Sequence, residues 1–89
     1  MAVNSYRFTI SGNVFNGGSF TPGKYVTIME AIAMAGGLNR FADPEGIIIN
    51  RTDSTGRVRR IPVNYDTIAS GKSPEQNLVL LPGDTVYVP

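Results

Sequence analysis

The residues best suited to binding chemistry in this sequence are arginines concentrated in one short segment. They are Arg51, Arg57, Arg59 and Arg60. Arg57 and Arg59 are two positions apart, a spacing that sends both side chains to the same side of a β-strand. A guanidinium group binds a carboxylate through paired hydrogen bonds, so this segment, with Arg40 as a further member, could hold an acidic sugar. Pairing with Asp53, pairing with a neighbouring subunit, and charge protection of a solvated sheet edge remain open alternatives.

Two aromatic residues lie in segments that are predicted to be loops. Tyr25 follows a Pro-Gly-Lys sequence and Phe41 lies in a polar stretch, so these two rings are better candidates for exposure than those on strands. An exposed aromatic ring can cover the apolar face of a sugar or anchor a protein interface, but packing against the core or as a hydrophobic staple is the role that we favour for them. In contrast, Tyr6, Phe8 and Tyr87 fall on predicted strands and are expected in the core.

Several kinds of catalytic site are excluded by composition. The sequence has no Cys and no His, which removes thiolate nucleophiles, Ser-His-Asp triads and the usual zinc sites. Its acidic residues are scattered, and we expect them to be solvated loop residues. Asp84, which follows Pro82 and Gly83, is expected to accept hydrogen bonds from backbone N–H groups of that turn. Neither Gly17-Gly18 nor Gly36-Gly37 belongs to a phosphate-binding motif. The sequence therefore predicts no enzyme activity, no metal and no cofactor.

Charge and hydropathy limit the choice of partners and location. A net charge of +1 supplies no overall attraction to nucleic acid or to an acidic membrane. No apolar run approaches the roughly 20 residues that a membrane-spanning helix needs, and residues 1–5 do not have the pattern of a signal peptide. We therefore expect either a cytosolic protein or a domain of a longer chain, with residues 1–5 as a tail.

A single long helix is predicted over residues 27–38, and it must position the loops on either side of it. Thr27 and Glu30 have the spacing of a capping box, in which each side chain bonds the backbone N–H of the other residue. Ile28, Ile32 and Ala35 form an apolar stripe at helical spacing. The Gly-Gly pair that follows permits the left-handed conformation that ends many helices. Such a short helix needs a sheet to pack against.

The remaining apolar segments alternate or cluster as β-strands do. Strands are predicted at residues 6–14, 19–21, 47–49, 57–63 and 85–88. The run from Ile47 to Ile49 has no polar residue, so both faces of that strand are expected to be covered. Pro62 marks the partner of this strand as an edge strand or as the site of a bulge, and one or two helical turns are expected at residues 65–70. This order predicts an α+β fold, a β-grasp-like mixed sheet with one main helix packed across it.

Four segments, in this order and spacing, carry a family resemblance. They are Phe8-Thr9-Ile10-Ser11-Gly12-Asn13-Val14, the helical segment that ends Ala35-Gly36-Gly37-Leu38, Arg60-Ile61-Pro62-Val63-Asn64, and the closing segment with Pro82-Gly83-Asp84. Together they resemble the soluble-ligand-binding β-grasp (SLBB) domain, in the version found in polysaccharide export outer-membrane proteins. The first hairpin departs from that pattern, because Asn16-Gly17-Gly18 replaces the usual Asn-Pro-Gly. We expect the turn to survive, since Gly loses only the preset φ of Pro.

The resemblance implies a single domain at residues 6–89 and a function without catalysis. The domain would be a periplasmic module of an outer-membrane protein that assembles into rings and transports capsular polysaccharide or exopolysaccharide. Its implied partners are neighbouring copies of the parent protein and the polysaccharide, with no nucleic acid and no direct membrane insertion by this segment. The alternative is a small-ligand-binding module of another secreted or electron-transfer assembly. The family has no catalytic motif to transfer, so Tyr25, Arg40, Phe41 and the four later arginines are candidate contacts on chemical grounds alone.

Overall fold

A mixed sheet forms the body of the domain, and one helix lies across one of its faces. The computed structural model describes residues 6–89. The elements in chain order are β1 (Phe8–Gly12), β2 (Gly18–Phe20), α1 (Ile28–Met34), β3 (Ile47–Thr52), β4 (Val58–Val63), α2 (Tyr65–Ala69), a 3-10 turn (Pro74–Gln76) and β5 (Thr85–Val88). The order across the five-stranded sheet is β2-β1-β5-β3-β4. Strands β1 and β5 pair in parallel and the other pairs are antiparallel. The predicted α+β architecture is confirmed.

Helix α1 begins and ends as the sequence predicts. Thr27 Oγ1 accepts a hydrogen bond from the N–H of Glu30 at 3.3 Å, and the N–H of Thr27 donates to Glu30 Oε1 at 3.0 Å. At the other end, the N–H of Gly37 donates to the carbonyl of Ile32 at 2.9 Å. That closure needs a left-handed residue between the last turn and Gly37, and Gly36 supplies it with a φ of +84°. The caps lie outside the hydrogen-bonded turns, so α1 is shorter than the predicted stretch.

The core lies between α1 and the sheet. On the helix, Ile28, Ala31 and Ile32 are buried, and they pack in one cluster with alternate strand residues. These strand residues are Phe8, Ile10, Ile47, Ile49, Val63, Val86 and Val88. Tyr6, which precedes β1, is also buried, and its hydroxyl donates to the carbonyl of Leu80 at 2.8 Å. The predicted core positions of Tyr6 and Phe8 are thus confirmed.

Two predictions are wrong on the opposite face of the sheet. Ile47 and Ile49 are buried but Ile48 is only half-buried, so this strand is not covered on both faces. Tyr87, expected in the core, is 47% exposed. Its neighbours on either side in β5 fill the core, and successive strand residues point to opposite faces, so the Tyr87 ring points away from α1.

The second half of the chain builds the other edge of the sheet. Among residues 6–89, β4 pairs with β3 alone, so it is an edge strand, one of the two possibilities that Pro62 indicates. Helix α2, which matches the predicted short helical segment, is capped by Asn64, whose Oδ1 accepts from the N–H of Asp66 at 3.0 Å. The predicted tail at residues 1–5 lies outside the described residues. Among residues 6–89, no helix has the length and apolar character that a membrane crossing requires.

Candidate functional site

Arg51, the first of the candidate arginines, bonds to an acid within the domain. Its Nη2 donates to Asp84 Oδ2 at 2.8 Å, and its Nε donates to Asp84 Oδ1 at 3.1 Å. The same Nη2 also donates to the carbonyl of Val79 at 3.2 Å. The side chain of Arg51 is 21% exposed and that of Asp84 is 1% exposed. The guanidinium of Arg51 therefore holds the closing turn against β3, and most of its hydrogen-bonding capacity is used there.

Of the two predictions that concern Asp84, its role in the turn is confirmed and its exposure to solvent is wrong. Its Oδ2 accepts from the N–H of Leu81 at 2.8 Å, which is the expected role for the acid of a Pro-Gly-Asp turn. However, Asp84 is buried, so the prediction that all acids are solvated is wrong for this residue. An isolated buried carboxylate is costly, and the Arg51 guanidinium compensates for it. Sequence reasoning missed the pair because 33 positions separate its members.

The other three arginines of this segment lie on or beside the edge strand β4 and are exposed. Within residues 6–89, none of their guanidinium groups forms an ion pair. Arg60 lies opposite Asn50 in the register, whereas Arg59 lies opposite Arg51, so the two side chains point to opposite faces of the sheet. Arg57 follows the hairpin loop, and its backbone N–H donates to Asp53 Oδ1 at 3.0 Å.

The loop between β3 and β4 is organised by Asp53. Its Oδ1 accepts from the hydroxyl of Thr55 at 2.6 Å and from the N–H of Thr55 at 2.9 Å. The hydroxyl bond is the main cause that holds the pKa of Asp53 below its ordinary 3.8. The alternative that the arginines pair with Asp53 is met by a hydrogen bond from the backbone N–H of Arg57 and by no ion pair among residues 6–89. The Arg59 charge lowers the pKa of Asp53 by a smaller amount than the Thr55 hydroxyl does.

Tyr25 and Phe41 are exposed, as the sequence predicts. Tyr25 is 45% exposed, and its ring centroid lies 4.6 Å from that of Tyr6, so it also covers a core residue. Phe41 is 71% exposed. The guanidinium carbon of Arg40 lies 5.0 Å from the Phe41 ring centroid, which is within cation–π range. Phe15, which the sequence reasoning did not select, is a further exposed ring.

The candidate residues therefore divide among separate places. Tyr25 lies in the loop before α1, and Arg40 and Phe41 lie in the loop after it. The three exposed arginines lie on or beside the edge strand β4. In residues 6–89 there is no pocket and no group of His, Cys, Asp or Glu side chains with the geometry of a metal site.

A different surface, which the sequence reasoning missed, combines aromatic, polar and cationic groups. We call it the open face: the outward-pointing residues at the positions where β3 pairs with both of its neighbours, β5 and β4. They are Tyr87, Thr85, Ile48, Asn50, Pro62 and Arg60. The alternation of β5 held a signal for it, because Val86 and Val88 are suited to the core and leave Tyr87 on the other side.

The mixed five-stranded sheet with one main helix across it defines the class of the fold as α+β and β-grasp-like. The sequence matches the profile of the SLBB domain family over residues 6–88. The chain thus belongs to the SLBB domain family, which is a family of binding domains and generally non-catalytic. No curated protein sequence matches it. The resemblance predicted from the four segments is confirmed at the level of the domain family.

Proposed function

We propose that this chain is a non-catalytic, periplasmic module of a polysaccharide-export outer-membrane protein. In this role it packs against neighbouring copies of its parent protein in a ring and contacts the glycan as the glycan passes. The observation that carries the proposal is the family match over residues 6–88. The four segments resemble the version of the SLBB domain found in polysaccharide exporters, and this resemblance favours an export role over other functions of SLBB domains.

The surface chemistry supports a binding role of this kind. Three arginines on or beside β4 are exposed and form no ion pair within residues 6–89. Exposed rings at Phe15, Tyr25, Phe41 and Tyr87 add apolar contact area. Such a mixture suits ligands that carry hydroxyl and carboxylate groups beside apolar ring faces, and it also suits a protein interface.

A genetic experiment tests the export role. The coding segment for residues 6–89 is deleted in frame from its gene, and surface polysaccharide is compared with polymer retained in the periplasm. We expect surface polysaccharide to be lost while synthesis continues, and a copy of the intact gene to restore it. Normal surface polysaccharide in the deletion strain, with the shortened protein present, would reject the export role and favour a small-ligand module of another assembly.

A further inference from the structure

The open face has an internal order that the strand register creates. Tyr87 lies opposite Ile48, and Ile48 lies opposite Pro62, so these three form an apolar row across β5, β3 and β4. Thr85 lies opposite Asn50, and Asn50 lies opposite Arg60. The second row is therefore polar and ends in a cation. The two rows run side by side, with roughly 7 Å between successive outward residues of one strand.

The aromatic ring of the apolar row lies on the middle strand of the sheet and not at an edge. Strand β5 is the middle strand, and α1 covers only the other face, so the Tyr87 ring stays 47% exposed. A single exposed aromatic residue needs no explanation. Here, however, the ring continues into Ile48 and Pro62, and this contiguous apolar strip gives a flat ring of a ligand a surface to cover.

The polar row supplies directional groups and a charge. The Thr85 hydroxyl and the Asn50 amide can each donate and accept hydrogen bonds, which matches the hydroxyl groups of a sugar. Arg60 can bind a carboxylate through two parallel bonds. Strands β1 to β5 contain arginines and no Asp or Glu, so nothing on the strands neutralises Arg60. The face is therefore complementary in charge to an anionic ligand.

We propose that the open face binds acidic oligosaccharides, with the Tyr87 ring covering a sugar ring and Arg60 binding a uronic acid carboxylate. Two strand spacings, roughly 10 Å, separate β5 from β4, and Tyr87 and Arg60 lie in rows roughly 7 Å apart, so about 12 Å separates the two positions. The two contacts therefore fall on different sugars of one chain. This inference rests on the proposed function and names the class of glycan and the surface that contacts it. In this proposal Arg60 is the arginine that contacts the glycan. Arg57 and Arg59 do not, because they do not belong to the open face.

The test is an NMR titration of the 89-residue chain with uronic acid trisaccharides (galacturonic and glucuronic) and with a neutral galactose trisaccharide. We expect the acidic sugars to shift the amide signals of Ile48, Arg60 and Tyr87, and we expect added salt to reduce the shifts. The neutral sugar should bind more weakly, because it lacks the carboxylate.

Two neighbouring arginines provide a matched pair of variants. Arg60→Gln and Arg59→Gln remove the same charge from the same strand on opposite faces. We expect Arg60→Gln to weaken binding of the acidic trisaccharide about tenfold and Arg59→Gln less than twofold, since a charge-assisted pair contributes about that factor. Tyr87→Thr, which keeps a strand-forming residue, should remove binding of both sugars. Melting temperatures of the variants check that each remains folded.

Three results would overturn the proposal. Equal losses in the two arginine variants would show attraction by net charge without a site. Shifts centred on Tyr25, Arg57 and Arg59 would retain glycan contact but place it elsewhere on the domain. If no sugar shifts the amide signals, the glycan site is rejected. If the signals of the open face instead shift with protein concentration when no sugar is present, the glycan site is also rejected and the face is a contact between copies of the chain. The export assay is read independently, so failure here leaves the proposed function to its own test.

Discussion

At the scale of single residues, Arg51 differs from the other candidate arginines because its guanidinium forms an ion pair with Asp84. Both residues point to the side of the sheet that faces α1, and the carboxylate is almost completely buried. A residue type suited to ligand binding thus serves the structure. The three arginines on or beside β4 form no such ion pair within residues 6–89, so their charges are not offset by an acid of the domain.

The energetic role of this pair can be measured with Asp84→Asn. The substitution keeps the shape of the side chain but leaves the Arg51 guanidinium, which is 21% exposed, beside a neutral group. Removal of one partner from a buried pair costs about 3–5 kcal/mol. We therefore expect a loss of about 3 kcal/mol in the free energy of unfolding, measured by urea denaturation. Glu75→Gln, at an exposed acid, is the control, and equal small losses in both variants would contradict a stabilising role.

At the scale of elements, α1 depends on contacts at both of its ends. Its seven residues are too few to form a stable helix alone in water. The capping box between Thr27 and Glu30 closes the first turn, and the N–H of Thr27 is the main cause that holds the pKa of Glu30 below 4.5. Lys24, 3.7 Å from Glu30, lowers this pKa by a smaller amount.

The shifted pKa of Glu30 predicts a loss of stability in acid. Because its pKa is lower in the folded protein than in the unfolded chain, the folded state binds this proton less tightly. The stabilisation is therefore complete above the unfolded pKa, near 4.5, and disappears as the pH falls through the folded pKa. Asp53 has a shift in the same direction. We expect Glu30→Gln, which preserves the cap, to flatten the fall of melting temperature in acid.

Asp53→Asn is the companion variant, because it removes the second contribution to this acid transition. The two substitutions together should flatten the pH dependence more than either alone. A pH profile that Glu30→Gln leaves unchanged would show that the capping carboxylate does not contribute.

The junction of β1 and β5 also depends on one residue. Gly12 has a φ of +94°, and a Cβ there would overlap the carbonyl oxygen of Val88 in the paired strand. Gly12→Ala should therefore cost about 2–5 kcal/mol, the sum of left-handed strain and overpacking. Gly71 has a φ of +82° and open space around it, so Gly71→Ala should cost only the strain, about 1–2 kcal/mol. Thermal melts of the two variants compare backbone strain plus overlap, at Gly12, with backbone strain alone, at Gly71. Equal losses of stability would show that overlap with the Val88 carbonyl does not contribute.

At the scale of the whole molecule, one core joins the helix and the sheet. Ile32 on α1 is 1% exposed and belongs to the same cluster as the central strands. Ile32→Asp places an unpaired charge there and should cost at least about 3 kcal/mol, out of a total stability of about 5–15 kcal/mol. Ala33→Asp, at the next and exposed position, should cost about 1 kcal/mol or less. A cooperative melt of Ile32→Asp equal to that of the wild type would mean that α1 does not dock as described.

Local patterns account for the parts of the fold that were predicted correctly. The cap of α1 depends on residues three positions apart, and the edge character of β4 follows from Pro62, which lacks an N–H. The core positions of β1 follow from alternation. Alternation in β5 indicates that Tyr87 lies on the face opposite Val86 and Val88. The same patterns could not show that this face, which Tyr87 shares with Ile48, is uncovered, because periodicity does not reveal whether a second layer covers it.

Helix ends, strand positions and the domain family are therefore readable along the chain, because each depends on interactions between near neighbours or on the spacing of apolar residues. Two properties arise only when distant segments meet. The Arg51–Asp84 pair joins β3 to the closing turn, and the open face exists because the register aligns β5, β3 and β4. Both are contacts between residues far apart in sequence, and the register and twist that set them depend on the packing of the whole core.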